Sequence, residues 1–430
     1  MQIFVIYYDI SIKKGAETVK EKVKKILFGL FCAVFIALVV YSAATAGAVS
    51  KTTHNNEKAS EKILGDPEIR AGCLYFNMLD ARGQYVYDVL KETIAKGNKY
   101  TELMPILLTE NELSRIVRAL TYDDPSLYYI NADAFDLKSH GYTDSGKKSG
   151  KLVILPSIVD GKYTRVWIPY TANNDDSSRF LEKAANRFKA SVKKADSLIA
   201  DVHDPFLVCQ LLHDYLCGVC EKVEPGGVYA DTAYGALVEG KATSLGYAKA
   251  FKLLYEKTEG KTSFIVSGGK DYWNTALIND KYYNIDIYGD DLDGVLNGVE
   301  LRGASSHLYL CRDDETFYLE HDKSIGNVPV CSDKTTYYSH NGFDPSTPSE
   351  LYDAITRQVE SQRQSKGYYF EISTELDNAP ARIREATIRV LATNYPDYAY
   401  GCEIYRQSDK LPVYIVKMLK KTATEVENNG

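Results

Sequence analysis

The sequence predicts an α+β chain of several modules behind an N-terminal targeting segment. Three observations carry this reading. Stretches with apolar residues three and four apart, the mark of an amphipathic helix, alternate with short runs of strand character. Two such runs flank Asn279-Asp280, a two-residue hairpin signal. The 430 residues, 45% hydrophobic and 25% charged, supply more than one ordinary core.

Residues 1–48 read as a signal peptide or membrane anchor. A basic flank (Lys20, Lys22, Lys24, Lys25) precedes an apolar run from Ile26 to Val40, then small residues ending in Ala46-Gly47-Ala48. The order predicts a secreted or cell-surface protein of bacterial type, touching a membrane only through this segment if it is not cleaved. A polar linker occupies 49–64. An N-terminal α+β module is expected at 65–200. It has helices at Cys73–Ala95 and Asn111–Leu120, strands at Leu152–Ile154 and Tyr163–Pro169, and a long helix from Asn173 to Ile199.

The middle segment, 201–330, opens with a helix at Pro205–Val219. A second helix is expected from Ser244 to Glu256, followed by strands at Lys261–Ser267, Asp271–Ile278, Lys281–Ile287 and His307–Cys311. The Pro345-Ser346-Thr347-Pro348 stretch marks the start of a C-terminal two-layer α/β module within 335–422. Its helices are expected at Glu350–Gln364 and Ile383–Asn394, its strands at Tyr368–Ile372, Tyr398–Tyr405 and Val413–Leu419.

The formal net charge of -7 leaves no basic footprint for nucleic acid. Seven cysteines remain after residue 48, an odd number spread thinly, which is not a disulfide framework. Cys217-Gly218-Val219-Cys220 has the spacing of half a metal or redox site. No second CxxC and no histidine pair at ligand spacing joins it, so packing at a helix end is the reading preferred. Asp290-Asp291-Leu292-Asp293-Gly294 lacks the ligand spacing of a calcium loop. No cofactor and no metal is expected.

The segment Tyr234-Gly235-Ala236-Leu237-Val238-Glu239-Gly240-Lys241-Ala242-Thr243-Ser244-Leu245-Gly246-Tyr247-Ala248 resembles the transglutaminase-like (papain-like) superfamily, whose bacterial members carry YGALxxGKAVCQGYA. Downstream, Asp271-Tyr272-Trp273-Asn274 stands where the family has HAWN. Lys281 to Asp291 matches its KWYNVDxTWDD strand. The resemblance covers about residues 205 to 325 and implies a nucleophile-type helix packed on an antiparallel sheet. It places the family's cysteine on Ser244, its glutamine on Leu245, its histidine on Asp271 and its acid on Asp286. Leu245, Tyr247, Trp273 and Asn274 are the residues expected to line the retained cleft.

These departures bear directly on chemistry. The family's cysteine acts as a thiolate made by a neighbouring imidazole. A serine hydroxyl is a weaker acid and needs a better base, and here an aspartate stands in the base position. With Asn279 and Asp280 as turn residues, Trp273 is expected opposite Asp286, with Asp271 diagonal to Asp286 at ~7–8 Å. Two carboxylates at that spacing raise one another's pKa rather than form an acid–base pair. Thr243 or Ser244 starts the helix, and a cap without catalysis is the reading preferred for Ser244. His213 reads as a structural member of its helix, and His307 and His321 are remote candidates for a replacement base.

The expectation is a non-catalytic relative whose cleft binds peptide, protein or cell-wall material. Two alternatives stand beside it. One is an active peptidase or protein-amide transferase using Ser244. The other is a structural surface protein that binds through its terminal modules.

Overall fold

The computed structural model describes residues 66–103, 108–131, 155–157, 163–171, 177–301, 304–324, 326–365, 367–395 and 398–420. The segments expected as targeting signal and linker lie outside them, as do the strand expected at Leu152–Ile154 and the first residues of the helix expected from Asn173. Among the described residues, helices and small antiparallel sheets alternate, and no helix is long and apolar enough to cross a membrane.

The first helical stretch is two helices rather than one: α1 (Leu74–Asn77) and α2 (Ala81–Ala95). Asp80 breaks the run. Its backbone is extended, and its carboxylate accepts from the Gly83 amide as an N-cap. Strand β1 (Tyr100–Leu103) follows, then α3 (Glu110–Asp123), which starts with a reciprocal capping box between Thr109 and Glu112. Strands β2 (Leu155–Ser157) and β3 (Tyr163–Trp167) complete a three-stranded antiparallel sheet in the order β1-β3-β2. Phe76, Val86, Leu90, Leu113, Val117 and Val166 form the apolar centre of this region.

Helices α4 (Ser177–Ile199) and α5 (Pro205–Val219) lead into the middle segment. Pro205 occupies the first position of α5, where no amide donor is required, and the Asp204 carboxylate caps the Phe206 amide. Short strand β4 (Glu221–Lys222) pairs in parallel with β5 (Lys241–Ala242). Between them lies a π-helical turn, Gly235–Glu239, closed by Gly240 in the left-handed conformation at φ 67°. Helix α6 (Ser244–Tyr255) then packs on a three-stranded antiparallel sheet of β6 (Thr262–Gly268), β7 (Asp271–Ile278) and β8 (Lys281–Ile285).

Polar ties hold α6 to this sheet, among them the Tyr255 hydroxyl on the Leu277 carbonyl at 2.8 Å. The Lys252 ammonium, 1% exposed, donates to the Ser263 carbonyl at 2.7 Å, and the Asn274 amide donates to the Ala248 carbonyl at 3.0 Å. Asn279 and Asp280 are both left-handed (φ 49° and 62°), the conformation of a type I′ hairpin turn. The turn sets the register: Ile278 pairs with Lys281, and the ladder runs to Asn274 opposite Ile285.

The ladder stops there. Asp286 turns its amide to the Tyr309 carbonyl and begins α7 (Ile287–Asp290), so the expected pairing of Trp273 with Asp286 is not formed. A two-stranded hairpin, β9 (Val295–Leu296) and β10 (Val299–Glu300), comes next. Residues His307–Cys311, expected as a strand, form a turn. The Asp290 carboxylate captures the Tyr309 amide and Cys311 is left-handed at φ 59°, so only an isolated bridge between Asn284 and Arg312 remains.

Short helices α8 (Asp314–Phe317) and α9 (Tyr337–Asn341) precede the C-terminal elements. These are α10 (Pro348–Ser365), β11 (Tyr369–Ser373), α11 (Ala379–Asn394), β12 (Tyr398–Arg406) and β13 (Val413–Lys420). The sheet is antiparallel in the order β11-β13-β12, with both helices packed together against it. Its apolar centre includes Ile355, Phe370, Ile372, Ile383, Leu391 and Val416. Tyr337, Tyr338, Leu411 and Val413 instead belong to the same apolar cluster as Leu212, Phe251 and Ile285 of the middle segment.

Candidate functional site

The N-terminus of α6 faces a cleft of about 370 Å³ between α3 and the middle segment. Arg118, Tyr122, Ser244, Leu245, Lys270 and Tyr272 are among its lining residues. Thr243, not Ser244, is the N-cap: its hydroxyl accepts from the Gly246 amide at 3.4 Å. Gly246 is required by contact. A Cβ there would lie 2.3 Å from the Ala230 carbonyl oxygen and 2.7 Å from the Ala242 Cβ. The first turn of α6 is therefore pressed against the segments on either side of the π turn, and this places Ser244 in the cleft.

Of the expected lining residues, Leu245 lines the cleft and packs with Tyr122, Ala248 and Ile265. Tyr247, Trp273 and Asn274 do not. Each is only 1% exposed and each is spent on internal bonds. The Tyr247 hydroxyl lies 2.6 Å from an Asp291 oxygen and 2.9 Å from the Cys220 carbonyl. The Trp273 indole N–H donates to Asn284 at 3.1 Å, and Asn274 ties α6 to the sheet. Burying large side chains with polar tips demands such partners, so these residues specify packing. The neighbouring Tyr272 is the residue of this strand that reaches the cleft, where its ring meets Tyr122 edge-on at 6.1 Å.

The two carboxylates expected beside Ser244 have different surroundings. Asp271 is exposed at the start of β7. Asp286 is 5% exposed, and its Oδ1 caps the Gly289 amide at 2.9 Å. Its Oδ2 meets His321 Nε2 at 2.9 Å. Asp286 is thus paired with an imidazole from a distant segment, not with Asp271.

His321 nonetheless has no nitrogen to offer as a base. Its Nδ1 faces the Phe317 carbonyl at 3.2 Å, an acceptor that can only receive a proton. Its Nε2 faces a carboxylate, so both nitrogens are engaged and the protonated ring is favoured. Burial opposes that charge, but the hydrogen bond and charge of Asp286 outweigh it and raise the pKa above the ordinary histidine value. Phe317 stacks on the ring at 3.8 Å. Among the described residues, no imidazole is hydrogen-bonded to Ser244; His54 and His140 lie outside them.

Cys217 and Cys220 are free thiols. Burial pushes the Cys217 pKa well up and the Cys220 pKa to about 12, which removes thiolate character from both. Asp290 and Asp291 are turned inward, toward Tyr309 and Tyr247 respectively, and do not converge as a calcium loop.

A second constellation was hidden by sequence distance. His213 of α5, its neighbour Asp214, and His307 bring donor atoms within 4.8 Å of one another, close enough to hold a metal ion. Burial opposes protonation of both imidazoles, but carboxylates around them raise the pKa of each, with the Tyr337 ring also acting on His307.

No family model matches the chain, and no curated protein matches it. Among the solved structures that match is that of a candidate protease from Parabacteroides distasonis, at 15% identity and a TM-score of 0.20. The match covers 36% of this chain and 34% of that one, so the chain spans about a third of that protein.

Proposed function

We propose that the protein is a secreted or surface-held, non-catalytic relative of the transglutaminase-like domains, which uses the cleft at Ser244 to bind peptide or peptide-bearing cell-wall material. The observation that carries this reading is the state of the proton-transfer positions. Ser244 lies in a cleft at a helix start, while Asp286 is committed to an imidazole whose nitrogens are both occupied. Among the described residues, no imidazole is hydrogen-bonded to the Ser244 hydroxyl to activate it. The antiparallel sheet behind α6 and the type I′ hairpin agree with what the resemblance implies for the core.

The lining suggests what the cleft would take. Arg118, Lys249 and Lys270 supply cationic groups, with the Lys249 ammonium 5.4 Å from the centre of the Tyr122 ring. Tyr122 and Tyr272 supply aromatic faces and edges. The lining carboxylates are engaged, Asp124 by Lys91 at 3.2 Å and Asp231 by the Thr243 hydroxyl, so the cations beside the tyrosines suit a carboxylate-bearing peptide or muropeptide, held by charge at one end and by ring contact along its length.

The test is binding of a mixed pool of acidic peptides and muropeptides to the full chain, read by retention and mass spectrometry. The wild-type chain and Ser244→Ala should retain the same ligands, while Lys270→Glu, a reversal of charge at an exposed lining position, should weaken retention at least ~10-fold. Retention unaffected by Lys270→Glu would remove the cleft from the binding reading.

One observation favours an active enzyme as the second reading: Ser244, which the resemblance aligns with the nucleophile, begins α6 and lines a cleft. That reading requires turnover that disappears in Ser244→Ala.

A further inference from the structure

We infer that His213, Asp214 and His307 form a binding site for a divalent transition-metal ion of the zinc type, at the junction of α5 with the C-terminal sheet. The first observation is convergence. His213 Nδ1 and His307 Nε2 both point at the same oxygen, Asp214 Oδ1, at 2.9 and 2.8 Å. Zinc bonds of ~2.0–2.1 Å in a tetrahedron separate neighbouring donors by about 3.3 Å. Each imidazole nitrogen therefore has to draw back from Asp214 Oδ1 by only about 0.5 Å to reach that spacing, and all three donor atoms already lie within 4.8 Å of one another.

The second observation is what lies behind the ligands. A metal-bound imidazole characteristically donates its other N–H to a carboxylate, which fixes the tautomer and strengthens the ligand. Both rings have that arrangement here. His213 Nε2 lies 3.2 Å from Asp290 Oδ2, and His307 Nδ1 is hydrogen-bonded to Glu371 Oε2. These carboxylates are buried, with side chains 0% and 4% exposed, and are themselves fixed. Asp290 accepts from the Ser306 hydroxyl at 2.9 Å and the Tyr309 amide at 3.0 Å; Glu371 accepts from the Tyr338 hydroxyl at 3.0 Å. Tyr337 stacks on the His307 ring at 3.9 Å. The two rings are thus locked in orientation, each with one nitrogen directed at Asp214.

The third observation is access. The histidine side chains are 1% and 5% exposed, but that of Asp214 is 38% exposed. The ligand set is buried on the imidazole side and open on the carboxylate side, so an ion can enter and keep a water. Two imidazoles and one carboxylate, with no thiolate, favour zinc and its neighbours over calcium or magnesium, which take all-oxygen sites. The ligands come from α5 and from the turn at His307, and Glu371 comes from β11, so an ion here would also pin the C-terminal sheet to the middle segment.

The test is zinc binding to the full chain after chelation and removal of the chelator, by titration calorimetry with metal analysis. One zinc per chain is expected, with a rise in Tm on addition. Asp214→Asn, which keeps shape at a partly exposed position, should weaken binding at least ~10-fold. In the wild-type chain, Co²⁺ should produce visible d–d absorption and shift the ring resonances of His213 and His307. That readout does not depend on any variant folding. Absence of stoichiometric zinc binding by the folded chain overturns the site. So does binding that survives intact in a folded Asp214→Asn chain, or cobalt shifts confined to other histidines.

Discussion

At the scale of single residues, Asp286 is the position on which the proposed loss of turnover rests. The carboxylate does what an orienting acid does, holding an imidazole, but the imidazole is His321 and its far nitrogen is closed by a backbone carbonyl. Because the folded-state pKa of His321 is raised, its pairing contributes stability that is fully present below pH ~6.5, the unfolded value, and is lost as pH rises through the folded value. Histidine ring NMR should show His321 still protonated above pH ~6.5. In Asp286→Asn the largest influence holding the proton is removed, so the His321 pKa should fall, with a stability loss of about 2 kcal/mol. A His321 pKa that Asp286→Asn does not lower would break this assignment. Sequence reading placed Asp286 in the acid position, but a partner 35 positions away is invisible to spacing. The same holds for His213 and His307, whose ring contact is made across the fold. Tyr247, Trp273 and Asn274 misled for a different reason: a motif says which positions matter, not whether they matter to packing or to the cleft.

At the scale of elements, local chemistry was legible wherever it was local. The turn at Asn279-Asp280 set the hairpin register, and Pro205 with Asp204 set the start of α5. Boundaries slipped where a side chain from elsewhere overrode periodicity, as when Asp80 divides the first helical stretch and Asp290 takes the Tyr309 amide from an expected strand. The start of α6 gives a graded test, because two neighbouring substitutions act by different physics. Thr243→Ala removes a cap and should cost about 1 kcal/mol. Gly246→Ala drives a methyl into the Ala230 carbonyl and the Ala242 side chain, and should cost about 2–3 kcal/mol. Denaturant melts of the two variants read this order directly; a Gly246→Ala chain as stable as wild type would mean that α6 does not press on those segments.

At the scale of the whole molecule, the α+β composition was readable from alternating helical and strand patterns, while the joining of the modules was not. Tyr337, Tyr338, Leu411 and Val413 are buried in the apolar cluster of the middle segment, and Glu371 of β11 reaches His307. The middle and C-terminal elements should therefore unfold in one transition, with far-UV circular dichroism and tyrosine fluorescence melting together; two separated transitions would contradict a shared core. The Tyr75 hydroxyl on the Ile265 carbonyl at 2.6 Å and the Tyr122–Tyr272 contact likewise tie the N-terminal helices to the sheet and wall the cleft. The central claim is that this cleft binds without turning over. The most direct measurement is amide hydrolysis and transamidation on the same peptide and muropeptide pool, comparing the full chain with Ser244→Ala. Equal, background-level product from both is the predicted result. Product formed by the wild-type chain and lost in Ser244→Ala would contradict the account and make Ser244 a nucleophile.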